Sequence, residues 1–462
     1  MEQSVIFDLD LIKRYDKSGP RYTSYPTAVQ FHPGFAAPQY QHVARGTNDE
    51  VPKRPLSLYF HIPFCDTVCF YCGCNKIATK DRGKAQPYLD RVYRELALQA
   101  ELFDDDRFVD QLHWGGGTPT FISHQQMQEL MNETRRHFRL RDDDSGEYSI
   151  EIDPREVKAD TIALLRQLGF NRMSLGVQDF EPVVQRAVNR IQTEEQTFTV
   201  LEQARQQGFK STSLDLIYGL PLQTTASFER TLDKVIDVSP DRLSIFNYAH
   251  LPELFKPQRR INESELPAPA VKLDILQMTI DKLAAAGYVY IGMDHFARPD
   301  DELAIAQREQ TLYRNFQGYS THADCDLIGI GVTSIGKVGR SYNQNYKGID
   351  DYYQAIDSGQ LAVFRGVELD DDDVLRRDII TRLMCHFVLD IRAIEQQYGL
   401  VFSDYFALEL EELQAMQQDG LLEVTGDSLK VLPRGRLLIR NVCMVFDRYL
   451  REPSQQRYSK VI

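Results

Sequence analysis

A chain of 462 residues, with 42% hydrophobic and 26% charged residues, 27 Gly and 20 Pro, is long enough for two or three domains. Its balance excludes a collagen-like, low-complexity or largely disordered protein. A formal net charge of −14, with no run of Lys and Arg to offset it, sets the surface against phosphate backbones, so no nucleic acid is expected as a partner.

The apolar stretches are strand-sized, so no membrane insertion is expected. The first residues carry neither a cationic start nor an apolar core, and a cytoplasmic protein is the expectation.

Residues 1–50 lack periodicity and read as an extended N-terminal arm. Arg21, Tyr22 and Tyr25 are unusual for a loose tail, and Arg21 is a weak candidate for a substrate-binding cation. From residue 55 a rhythm of strands and helices begins. Strands are expected at 56–62, 108–114, 148–152, 172–177, 213–218 and 242–246. Helices are expected at 88–103, 125–138, 159–168, 195–208, 225–236 and 270–287. Such alternation argues for parallel βα units, closed into a barrel or open as a doubly wound sheet. In both, sites form at the C-terminal strand ends. Polar or glycine-rich residues stand there repeatedly: 65–74, 115–118, Glu151, Gln178, Asp215 and Ala249.

After about residue 350 the pattern changes. The acidic run 370–373 precedes helices at 374–387, 390–398 and 404–418, a hairpin around Gly426 and Asp427, and a last helix at 436–450. Three helices and a hairpin predict a mostly helical, winged-helix-like domain. Its third helix carries Glu409, Glu411 and Glu412, which phosphates would repel, so a structural or capping role is favoured over DNA binding. The expected domains are 1–50, 51–360 and 361–462.

Four of the seven cysteines, Cys65, Cys69, Cys72 and Cys74, fall within ten residues. The scattered Cys325, Cys385 and Cys443 read as small buried hydrophobes. Three thiolates spaced Cys-x3-Cys-x2-Cys in one short loop suit three irons of a [4Fe–4S] cluster, leaving the fourth open. Zinc is the alternative, but its second pair of ligands is missing. Cys74 follows Cys72 too closely to be an easy fourth ligand.

Placed after a first strand, this loop resembles that of the radical S-adenosylmethionine superfamily. The wider strings at 59–65 and 72–77, with those at 19–27, 114–120, 149–154, 176–179, 215–221, 316–319 and 436–447, resemble the oxygen-independent coproporphyrinogen III oxidase family. Tyr71 is one local departure, standing where Phe is commoner. The resemblance implies an α/β fold, a partial (β/α)6 barrel, with one cluster on Cys65, Cys69 and Cys72 and two S-adenosylmethionine molecules in one site. Tyr59, Gly116, Glu151 and Ile335 would hold the first cofactor. Tyr71, Gly117, Thr118, Gln178, Arg190, Asp215 and Ala249 would hold the second. Cys74 is the candidate catalytic residue.

The implied reaction turns two propionates of coproporphyrinogen III into vinyl groups, giving protoporphyrinogen IX for heme synthesis. An electron from an unidentified donor starts it, and the chain is expected to act as a monomer.

Residue chemistry runs beside this resemblance. Three glycines at 115–117 let backbone approach a ligand, or simply make a tight turn. Tyr59 and His61 share a face by period-two alternation. Arg190 suits a carboxylate, and Asp215 and Gln178 suit a ribose diol. A heme-trafficking relative of the same superfamily is the runner-up, but it would carry Asp-Phe after the third cysteine instead of Gly73 and Cys74. A DNA-binding redox regulator is a third class, disfavoured by charge.

Overall fold

Period-two runs ending in polar residues become six strands: β1 (Leu56–Ile62), β2 (Phe108–Gly116), β3 (Glu147–Ile152), β4 (Arg172–Gln178), β5 (Ser211–Tyr218) and β6 (Arg242–Asn247). The computed structural model describes residues 5–322 and 325–451, so the extreme ends of the expected arm (1–4) and C-terminal domain (452–462) lie outside the described residues. Each strand pairs in parallel with its predecessor. Parallel neighbours need long crossovers, and α1 (Ala85–Ala100), α2 (His124–His137), α3 (Thr161–Leu168), α4 (Glu194–Gln206) and α5 (Thr225–Val238) supply them. Local chemistry sets the helix starts: Ser123 with Gln126, and Thr193 with Gln196, form reciprocal capping boxes on α2 and α4.

Strand order that follows chain order keeps right-handed crossovers on one face. A doubly wound sheet would need a reversal, so that alternative falls. The wall does not close on itself, because the free edge of β1 takes β7 (Asp326–Ile330) in parallel instead of β6. Antiparallel β8 (Ile335–Val338), β9 (Ser341–Asn345) and β10 (Val363–Glu368) continue that edge. The result is a partial (β/α)6 barrel.

Alternation divides each strand between two environments. Leu112, Trp114, Ile150, Leu175, Val177, Leu214 and Leu216 are buried, whereas Tyr59, His113, Ser149, Glu151, Ser174, Gln178 and Asp215 alternate with them and are more open. Both faces of a parallel sheet are ordinarily apolar. A polar inner face marks the side that receives ligands.

This barrel is one compact unit, made of Phe31–Ala268 and Asp324–Glu368. The other gathers the described residues within Met1–Gln30, Pro269–Ala323 and Leu369–Ile462. Neither is contiguous, whereas the sequence suggested cuts at 50 and 360. The reason lies in side-chain contacts that no local pattern records. Tyr22, 5% exposed, donates from Oη to Asp447 Oδ2 at 2.9 Å, and Tyr25 Oη accepts the Arg448 N–H at 3.2 Å. Arg440 Nε donates to the Pro20 carbonyl at 2.8 Å. Arg21 is ion-paired with Asp294. Among the described residues, the part of the expected arm up to Gln30 is therefore packed within this unit and is not a loose tail, while Phe31 onward belongs to the barrel unit.

The C-terminal segment has the winged-helix-like form: helices Asp371–His386, Ile391–Tyr398 and Ala407–Gln418, with a sheet of Val388–Asp390, Ser428–Val431 and Leu422–Val424. The last helix is broken into Arg436–Leu438, Ile439–Val445 and Arg448–Leu450. The acidic run has a structural use, since Asp370 caps its helix and Arg448 pairs with Asp370, Asp372 and Asp373. Glu409 is likewise inward, paired with Arg376 at 2.9 Å. Cys325, Cys385 and Cys443 are buried. Among the described residues no helix is long and apolar enough to cross a membrane.

Candidate active site

The cysteine loop begins where β1 ends. Phe64–Cys65 pairs with Ile77–Ala78, so the loop leaves and returns at one place. Cys65 and Cys69 are buried, Cys72 is half-buried and Cys74 is exposed. Thr118 Oγ1 donates to Cys65 Sγ at 3.6 Å. Arg190 Nη1 and Arg155 Nη2 donate to Cys69 Sγ at 3.6 and 3.7 Å. The Cys74 N–H reaches Cys72 Sγ at 3.4 Å. Each of the three sulfurs thus has a hydrogen-bond donor beside it, and the Cys74 thiol itself donates to Cys72, which holds the Cys72 thiol below its usual range and the Cys74 thiol above it. Among the described residues no three His, Cys, Asp or Glu side chains are grouped to hold a single metal ion. The donor set fits a multi-iron cluster, which thiolates spread along one loop can ligate.

The glycine turn shows why it must be glycine. Gly116 has φ of +118°, and a Cβ there would sit 2.9 Å from the His61 ring. A Cβ on Gly117 would lie 2.6 Å from the Phe64 carbonyl oxygen, which is backbone and cannot yield. Gly117 and Thr118 N–H groups donate to the carbonyls of Ile62 and Phe64 at 2.8 and 2.7 Å. The turn is therefore zipped to the start of the cysteine loop.

Beside it lies a polar row. Tyr59 and His113 stack at 5.8 Å with planes 11° apart, and Tyr59 Oη contacts His61 Nδ1 at 3.1 Å. Glu151 accepts the Gly116 N–H at 3.2 Å and faces His113 Nε2 at 3.5 Å. Desolvation in the recess opposes ionisation of Glu151, but His113 and the Gly116 N–H outweigh it and hold the carboxyl below its usual range. Its side chain is nevertheless 48% exposed, as expected of an acid lining an open concavity. Ile335 opens β8 with its backbone 2.9 Å from a Cβ built on Gly329, the residue paired with Tyr59. Tyr59, Gly116, Glu151 and Ile335 are thus brought together.

A second set lies on β4, β5 and their connection. A bulge between Gly176 and Gln178 shifts the register against β5, and Gln178 has φ of +70°. A non-glycine residue in that region is strained, and bulges re-aim side chains beside sites. Gly176 makes room: a Cβ there would lie 3.0 Å from both Gln178 Nε2 and Arg190 Nη2. Asp215 accepts from Ser174 Oγ at 3.0 Å, and burial pushes its acid up to about 6.

Arg190, 6% exposed, pairs with Asp153 at 3.1 Å and donates to the Gly176 carbonyl at 2.5 Å. Its Nε is buried without a partner. An orphaned guanidinium N–H costs about 1–3 kcal/mol and suits an incoming acceptor. Tyr71 and Ala249 are joined through Gln258, whose Nε2 donates to their carbonyls at 2.9 and 3.3 Å.

Sequence reasoning missed His113, Ser174, Asp153, Arg155 and Gln258. The strand alternation that placed Tyr59 and Glu151 also places His113 and Ser174. Gln258 lies on the short helix Lys256–Arg260, and no strand pattern points to it.

A parallel barrel wall with a three-cysteine loop after its first strand defines a radical S-adenosylmethionine protein. Residues 59–235 match the Radical SAM superfamily, and residues 369–438 match the HemN C-terminal domain. A Pseudomonas aeruginosa protein named oxygen-independent coproporphyrinogen III oxidase is 54% identical over the whole of both chains. One of that name from Escherichia coli is 53% identical, covering 100% of this chain and 99% of its own. The solved structure of the Escherichia coli coproporphyrinogen III oxidase, described as a radical SAM enzyme, superposes with a TM-score of 0.92 at 51% identity, covering 97% of this chain and 100% of that one. The chain belongs to the oxygen-independent coproporphyrinogen III oxidase family.

Proposed function

We propose that this chain is an oxygen-independent coproporphyrinogen III oxidase. It converts two propionates of coproporphyrinogen III to vinyl groups, releasing CO₂ and giving protoporphyrinogen IX for heme synthesis. The observation that carries this reading is the cysteine loop joined by the 115–118 turn to a row of polar strand ends. Cys65, Cys69 and Cys72 would hold a [4Fe–4S] cluster. Tyr59, Gly116, Glu151 and Ile335 would hold one S-adenosylmethionine, and Tyr71, Gly117, Thr118, Gln178, Arg190, Asp215 and Ala249 a second. When bound, the cluster and cofactor supply the one-electron cleavage that yields a hydrogen-abstracting radical.

The chain's own residues bind and orient. Glu151, kept ionised by His113 and the Gly116 N–H, accepts a bond from a cofactor amine or hydroxyl. Asp215, steadied by Ser174, and Gln178, aimed by its bulge, offer hydrogen bonds to a ribose diol. Arg190 presents its unpartnered Nε to a carboxylate. Cys74, exposed beside the ligand loop, would meet substrate. The electron comes from a separate donor, and we place the reaction in the cytoplasm with the chain acting as a monomer.

The test is anaerobic reconstitution with iron and sulfide, followed by incubation with coproporphyrinogen III, S-adenosylmethionine and reductant. Protoporphyrinogen IX is the expected product. A fully loaded protein that leaves the substrate unchanged would overturn the proposal.

A further inference from the structure

Cys69 differs from its two neighbours in what surrounds its sulfur. Thr118 serves Cys65, and the Cys74 N–H and thiol, with the single ammonium of Lys76, serve Cys72. Cys69 Sγ instead receives two guanidinium groups, Arg190 at 3.6 Å and Arg155 at 3.7 Å. Asp153 lies between them, 2.6 Å from Arg155 Nη2 and 3.1 Å from Arg190 Nη1. The three side chains are 16%, 7% and 10% exposed for Arg155, Arg190 and Asp153, so solvent screens them weakly. Two positive charges and one negative leave a net charge of +1 against a single cluster-ligand sulfur.

We propose that Arg155 and Asp153 are positioning and tuning residues that set the reduction potential of the cluster through Cys69. The proposal rests on the assignment of Cys65, Cys69 and Cys72 as the cluster ligands. A [4Fe–4S]²⁺ core with three thiolates carries a net charge of −1, and one electron from an external reductant takes it to −2. A positive charge beside one ligand sulfur favours the more negative, reduced form, and hydrogen bonds to sulfur act in the same sense. Asp153 opposes this charge while holding both arginines against the sulfur. The opposite charges of Arg155 and Asp153 therefore predict opposite effects. A role confined to folding would damage the cluster in the same sense for both.

The experiment is a potentiometric titration of the full chain, reconstituted anaerobically, reduced stepwise with dithionite and read by the EPR signal of the reduced cluster, with iron and sulfide counted for each variant. Arg155→Gln is expected to make reduction about tenfold less favourable, which is about 59 mV lower for one electron. Asp153→Asn is expected to shift the potential upward. If one variant fails to load, the sign of the other decides. Shifts in the same direction, or unchanged potentials with full clusters, overturn the proposal. A Cys69→Ser chain that keeps a full cluster would instead remove the ligand assignment beneath it.

Discussion

Arg107 and Asp326 form an ion pair at 2.5 Å with side chains 1% and 0% exposed, fastening the start of β2 to the start of β7. The arginine also donates to Thr47 Oγ1 and the Arg54 carbonyl, each at 2.8 Å, and Asp326 accepts the Gly339 N–H at 2.8 Å. Every charge-bearing atom is therefore engaged where the added antiparallel edge joins the barrel. Removing one partner leaves a buried charge without compensation. Asp326→Asn is expected to destabilise the chain by about 3–5 kcal/mol in denaturant unfolding. A loss below about 1 kcal/mol, the range of a surface pair, would contradict this account.

Glu95 lies fully buried behind the barrel wall, accepting from Tyr352 Oη at 2.6 Å, Asn345 Nδ2 at 2.6 Å and the Gly331 N–H at 2.8 Å. Burial pushes its acid from 4.5 up to about 7, with those three donors pulling the other way. Between these values the folded chain holds a proton that the unfolded chain has released. The contribution of this group to stability is therefore greatest below about pH 4.5 and falls by about 3 kcal/mol as pH rises to about 7. Glu95→Gln cannot titrate and should flatten that part of the stability–pH profile. An unchanged slope in the variant would rule Glu95 out as its source.

The exposed Cys74 and the three loop thiols with donors at their sulfurs lead to a separation of roles. Serine at position 65, 69 or 72 should abolish iron and sulfide loading. Cys74→Ser should load normally and form no protoporphyrinogen IX. Iron analysis beside product assay reads both, and equal iron loss in the Cys74 variant would make it a ligand.

Tyr22, buried against Asp447, makes the arm part of its unit's core. Tyr22→Phe removes one of the groups that satisfy the buried acid, and a cost of about 1–3 kcal/mol is expected in thermal or denaturant unfolding. A neutral substitution would show that the arm contributes little to its unit.

The repeating βα units were legible because each strand and helix advertises itself within a short window. Leu112 and Trp114 alternate with His113, and α4 opens on Thr193 and Gln196. The cysteine loop and glycine turn were legible from spacing alone. What escaped was long-range. Tyr22 meets Asp447 across 425 positions, and Arg21 meets Asp294 across 273. Neither pairing leaves a periodic trace. Glu409 looked like part of an acidic surface because charge reads as exposure until Arg376 is found beside it. β8 and β9 were missed because Ile335–Asn345 is rich in Gly, Ser and Asn and offers little apolar alternation. Arg190 was legible as a carboxylate binder, but its engagement with Asp153 and Cys69 was not.

The two polar sets at the strand ends are proposed to hold two cofactor molecules at once. Equilibrium binding of S-adenosylmethionine to the anaerobically reconstituted chain, with iron and sulfide counted, measures this directly. The expected stoichiometry is two per chain, falling toward one in Asp215→Ala and in Gln178→Ala with the cluster intact. A stoichiometry of one in the unaltered chain at saturation would contradict it.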